Sequence, residues 1–259
     1  MDINTNSNLI TSLLVGLFVG AASGYLGSLM VLKRMALVGD ALSHVALPGI
    51  GIALTYGINP FLGAFTALAI GILLVWQLEK KTEIPAEAIV GLIFAVSLAI
   101  GLLVTPEPEL LESLFGDISS VSIFDAVLAV ILSSAVVVVS GLIRKKIALE
   151  IISPDLARSQ GLNSRLLSLA FLGMVAVVVA LGVKVVGTLL MGSLVIIPAL
   201  AAKNLARTFG FYGWASLILG AFCAVGGILL APVLNFPPGP IVVLVSAGIF
   251  VISLFAKTK

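Results

Sequence analysis

The chain has 259 residues, 60% of them hydrophobic and 10% charged, with a formal net charge of +2 and a mean hydropathy of +1.26. A soluble domain carries about a quarter charged residues, so this composition excludes a soluble enzyme and specifies a polytopic membrane protein. The one cysteine, Cys223, excludes an intramolecular disulfide and a Cys-rich metal knuckle, and the charge balance gives no reason to expect a nucleic-acid partner.

Hydropathy places candidate spans at 9–32, 35–56, 60–78, 86–104, 122–143, 165–183, 185–202, 211–231 and 240–256. The expected fold is therefore all-α, a single transmembrane domain over 1–259 with eight or nine transmembrane helices. Eight holds if 185–202 dips into the membrane rather than crossing it. No secretory signal is expected, because MDINTNSN has no basic region ahead of the first apolar run.

The second span, ALVGDALSHVALPGIGIAL over 36–54, carries the most chemistry. It holds the chain's one histidine, His44, four residues after Asp40, so on a helix both side chains project from one face. An acid at the centre of a spanning helix costs about 2.5–3.5 kcal/mol on insertion scales and is a functional candidate by default. Pro48 has no N–H for the carbonyl of His44 four residues back, which leaves that oxygen free. A carboxylate, an imidazole and a spare carbonyl make a cation site; the bland alternative is a polar pair that locks neighbouring helices together. Ser43 is adjacent to His44 and points about 100° away around the helix, a poor arrangement for an intramembrane serine nucleophile.

The turn Thr55–Pro60 joins spans two and three as a hairpin, and NFPPGP over 235–240 is a second stiff reversal. Of the 14 basic residues, Lys184 alone falls on the far side of a nine-span layout, opposite Lys33, Arg34, Arg144, Lys203 and the others. Glu107, Glu109, Glu112 and Asp117 lie on that far side too. The positive-inside rule then puts the N-terminus outside and the C-terminus in the cytoplasm. In this layout His44 is near mid-depth, Asp40 about 6 Å nearer the cytoplasm, and Cys223 near the middle of the eighth span. A thiolate there would favour zinc over manganese; the alternative is that Cys223 simply packs. Pro198 interrupts the seventh span in the same way as Pro48 interrupts the second.

The longest cytoplasmic segment, about 144–165, is not a formless linker. Ser153 reads as an N-cap, Pro154 as the first helical residue and Asp155 as a first-turn acid; Arg158 lies in the last turn and Gly161 just past the end. So short a helix is unstable alone and needs a body to pack on.

These motifs in this order resemble the ABC-3 family, the membrane permeases of bacterial zinc, manganese and iron importers. GDALSHVALPG follows YLGSLMVLKRM and precedes NPF; LFGDI, ISPDLARSQGL, VKVVGTLLMGSLVIIPALAAKNLAR and FPPGPIVVL complete the series. The resemblance implies a multi-pass permease of a prokaryotic cell membrane that pairs with a second copy of itself. It also implies docking to a dimer of cytoplasmic ABC ATPases and delivery of metal by an extracellular binding protein. Asp40 and His44 then become metal ligands in the path, and the helix marked by Ser153, Pro154, Asp155, Arg158 and Gly161 becomes the element that couples to the ATPase. The cargo is a divalent metal, zinc foremost with manganese or iron as alternatives, and no permanently bound cofactor is expected. Some zinc members carry a histidine in the fourth span, where this chain has Phe94-Ala95-Val96-Ser97. The sequence has no G-x-x-x-x-G-K-[ST], so ATP hydrolysis would belong to another chain. A proton-coupled secondary transporter is the alternative, since intramembrane acids and histidines also relay protons.

Overall fold

The computed structural model describes residues 3–82, 84, 86–105, 114–115, 122–188 and 191–256, without the side chains of 3–8, 37, 79–80, 86–87 and 184–186. Glu107, Glu109, Glu112, Asp117 and the Lys184 side chain lie outside the described residues. Every regular element among the described residues is a helix: α1 (Ile3–Leu32), α2 (Ala36–Thr55), α3 (Pro60–Lys81), α4 (Ala86–Val104), α5 (Ile123–Ile152), α6 (Pro154–Ser159), α7 (Ser164–Val186), α8 (Met191–Leu205), α9 (Phe209–Leu234) and α10 (Pro238–Phe255). Seven of them are long and apolar enough to cross a membrane, and Ala88–Val104 and Met191–Leu205 are shorter apolar helices.

Local chemistry sets the helix ends. Asn59 caps α3 by accepting from the Phe61 N–H, with Pro60 at the first helical position. Ser122 and Asp125 form a capping box at the start of α5. Asn235 ends α9 in the left-handed region at φ 55°, and α10 begins after Pro237.

Two helix ends depart from the hydropathy reading. The fifth span was expected over 122–143, but α5 continues to Ile152. Nothing in 144–152 breaks a helix, and the first residue unable to continue it is the one before Pro154. At 30 residues α5 is about 45 Å long and outruns a hydrocarbon slab of about 30 Å. The seventh span was expected over 185–202, but α7 runs on to Val186 and α8 starts only at Met191.

α1 and α9 share the most extensive interface, and α2 packs chiefly on α3 and α4 while also meeting α7 and α8. Lipid gives no hydrophobic drive for helix pairing, so close backbone approach through small residues is what holds such pairs. A Cβ on Gly24 would overlap the Ser216 carbonyl, and one on Gly220 would overlap the Gly20 carbonyl. Backbone cannot yield there as a flexible side chain could. Gly24→Val is therefore expected to prise α1 from α9 at a cost of about 1–3 kcal/mol, visible as a lower melting temperature of the detergent-purified protein.

Candidate metal path and coupling helix

Asp40 and His44 lie one turn apart on α2, as the four-residue spacing requires. His44 is buried at 7% exposure and its Nδ1 has no hydrogen-bond partner. Its ring meets the edge of Phe94 on α4, with centroids 5.1 Å apart and planes at 67°. The fourth helix thus offers His44 an aromatic wall and not another donor. Asp40 is half-buried against α8: a Cβ on Gly192 would lie 2.5 Å from the Asp40 Cβ and 2.6 Å from its Oδ1. Gly192 is what allows α8 to approach the acid.

Ser43 is a pin. Its hydroxyl lies 2.6 Å from both the Asp40 carbonyl and the Thr188 carbonyl, so its proton is committed to backbone and it is no nucleophile. The contact fixes the α7–α8 reversal against the middle of α2. From there α8 passes Gly27 of α1 through Val195 and reaches the cluster of Ala202 and Tyr212 with Leu32. Its 15 residues span about 22 Å, less than the slab. The helix therefore starts part-way through the bundle and runs to the Lys33 end. Such interrupted helices beside an intramembrane acid are the build of transporter sites. Sequence reading missed Thr188; the signal was the Gly-Thr pair between two apolar runs.

Cys223 is placed elsewhere. It is fully buried on α9, beside Ser246 of α10. Among the described residues no three of His, Cys, Asp and Glu gather in one group, so the structure does not bring Cys223 to the Asp40–His44 pair. The open groove of about 660 Å³ between α2, α3 and α4 is lined by apolar residues including Pro48, Ile52, Ile70 and Val96, and neither Asp40 nor His44 borders it.

The short helix α6 has the caps its sequence calls for. The Ser153 hydroxyl accepts from the Leu156 N–H at 3.3 Å, and Pro154 is the first residue. Gly161 at φ 73° lets the chain turn so that the Leu162 N–H reaches the Ala157 carbonyl at 3.0 Å. Ala157 is wholly buried, whereas Leu156 is 50% and the preceding Ile152 81% exposed. The Asp155 and Arg158 side chains, 3.7 Å apart, are open to solvent. α6 is thus tethered by one alanine and presents apolar and charged groups outward.

A part-buried ion pair ties this end of α5 to the start of the α2 hairpin. The Lys33 Nζ lies 3.2 Å from the Glu150 carboxylate and 5.2 Å from the centre of the Phe171 ring on α7. Three helices meet at that ammonium, three residues before the α6 cap.

Comparison with known proteins agrees with this geometry. Residues 5–257 match the ABC 3 transport family. The high-affinity zinc uptake system membrane protein ZnuB of Haemophilus influenzae is 32% identical over 97% of this chain and 98% of its own. The manganese import system permease protein ScaB of Streptococcus gordonii is 28% identical over 97% and 92%. PsaBC from Streptococcus pneumoniae, solved in complex with Fab, contains a chain that superposes with a TM-score of 0.86 at 25% identity, covering 97% of this chain and 92% of that one. With a family match along nearly all its length and the interrupted-helix build of a transporter, the chain belongs to the ABC 3 transport family.

Proposed function

We propose that the chain is the membrane-spanning permease subunit of an ABC importer, carrying a divalent transition metal inward past Asp40 and His44. The observation that supports this best is the buried imidazole with an unpartnered nitrogen, one turn from a carboxylate that packs against an interrupted helix. Two such donors fall short of the four that hold a structural zinc, which suits an ion that must leave again. The zinc and manganese named for the relatives both accept imidazole and carboxylate donors. With Cys223 turned to α10, no thiolate weights the choice toward zinc.

The basic residues at the Lys33 end put that end in the cytoplasm, with the N-terminus outside, the C-terminus inside and α6 facing the cytoplasm. Ser153, Pro154, Asp155, Arg158 and Gly161 shape a docking helix, and exposed Ile152 and Leu156 give it an apolar contact for an ATPase. Two copies of the permease with two ATPases, and a metal-binding protein on the outer face, complete the assembly. Reconstitution with the ATPase and binding protein is expected to give metal uptake that needs ATP and survives collapse of a proton gradient. Uptake driven by the gradient without ATP would replace this reading with a secondary carrier.

The Lys33–Glu150 pair is the mechanical link in this scheme. Breaking a charge-assisted hydrogen bond of this kind costs about 1.5–3 kcal/mol. Glu150→Gln is expected to lower metal uptake per ATP hydrolysed while metal binding stays unchanged. The exchanged pair Lys33→Glu with Glu150→Lys should recover part of the coupling.

A further inference from the structure

The α7–α8 reversal holds a polar group that the pair on α2 does not account for. Thr188 is fully buried, yet its hydroxyl has no hydrogen-bond partner. A threonine inside a helix would turn that hydroxyl to the carbonyl four residues back. Here Gly187, at φ 87°, has already ended α7, and Thr188 lies outside both helices. Buried hydroxyls are almost always satisfied, so each exception needs a reason.

The place of Thr188 supplies one. Its carbonyl is held at 2.6 Å by Ser43, whose hydroxyl is equally close to the carbonyl of Asp40. Four residues further on, Gly192 seats against the Asp40 side chain. Thr188 and Gly192 therefore both contact the one turn of α2 that carries both donors, and the Nδ1 of His44 on that turn is also buried and unpartnered. Two buried, unsatisfied polar atoms thus belong to segments joined by the Ser43 contact, and the Asp40 carboxylate lies on the same turn.

We infer that the Thr188 hydroxyl is a third donor to the divalent metal, an oxygen delivered from the break between α7 and α8 to meet Asp40 and His44. This rests on the reading of those two residues as metal ligands. It also says how the ion is let go. Two donors ride on α2 and the third on the α7–α8 reversal, so a shift of α8 against α2 separates them. Oxygen donors suit manganese more than zinc, so loss of this one bears harder on manganese.

The test measures equilibrium binding of manganese(II) and zinc(II) to the purified permease–ATPase complex carrying Thr188→Val, Thr188→Ser or His44→Ala, beside wild type. Thr188→Val is expected to weaken manganese binding about tenfold or more, the scale on which groups around a metal act, and zinc binding less. Its melting temperature should be unchanged or higher, because valine removes an unpaired buried hydroxyl. Thr188→Ser should bind as wild type does. Wild-type binding by Thr188→Val, with binding lost in His44→Ala, would overturn the third donor and leave the pair standing. Weak binding in both Thr188 variants together with a lowered melting temperature would also overturn it, as a packing effect. Undiminished binding by His44→Ala would remove the pair itself and the donor set with it.

Discussion

Ile152→Asp with Leu156→Asp is expected to detach the ATPase while leaving the permease folded and inserted. Both side chains are large, apolar and well exposed at 81% and 50%, on a stretch that follows the basic run Arg144, Lys145 and Lys146. Among the described residues nothing covers them, so charging them costs the isolated subunit little; exposed substitutions usually fall within about 0.5 kcal/mol. In a complex they would sit at the centre of the contact, where a desolvated, unpaired carboxylate is heavily penalised. Co-purification should fall to background and ATP-driven uptake with it, at an unchanged melting temperature of the permease alone. Ala157→Leu makes the complementary test. Ala157 is the buried foot of α6, and overfilling it should tilt the helix and lower the yield of complex without adding charge. If the double aspartate variant still held its ATPase and transported, α6 would not be the docking element.

His44→Ala and Asp40→Asn form the second large effect. Each removes one of the few donors present, and each is expected to bring metal uptake to background with assembly intact. Asp40→Asn keeps the shape that packs on Gly192 and removes the charge, so it separates chemistry from packing. It also removes an acid whose insertion costs about 2.5–3.5 kcal/mol at the centre of a helix, so the variant should insert at least as well as wild type. A loss of transport with gained or equal stability is the mark of a residue kept for its function. Transport at wild-type rates by either variant would contradict the assignment.

The parts of this account that the sequence made legible are those with a local cause. Spans follow from apolar runs longer than a slab, and α6 from a Ser-Pro-Asp cap with a glycine at its end, found in the structure as read. The pairing of Asp40 with His44 needed nothing but helical geometry. The α7–α8 break was harder to place, because Lys184 reads as a boundary but does not break a helix, and only Gly187-Thr188 hints at the true stop. The length of α5 was hidden by its charge: Arg144, Lys145 and Lys146 mark an interface for the chain but do not break a helix. What surrounds the site was not legible at all. The edge contact of Phe94 with His44, the seat of Asp40 on Gly192 and the turn of Cys223 toward Ser246 depend on which helices are neighbours, and no local pattern encodes that. Depth alone suggested Cys223 as a ligand, and depth does not say which way a side chain faces.

Elemental analysis of the purified permease–ATPase complex after exposure to manganese(II) or zinc(II), wild type beside the Asp40→Asn, His44→Ala double variant, tests the metal path most directly. The account predicts metal retained by wild type in a fixed ratio to the permease and absent from the double variant at equal purity. Equal metal in both would contradict it.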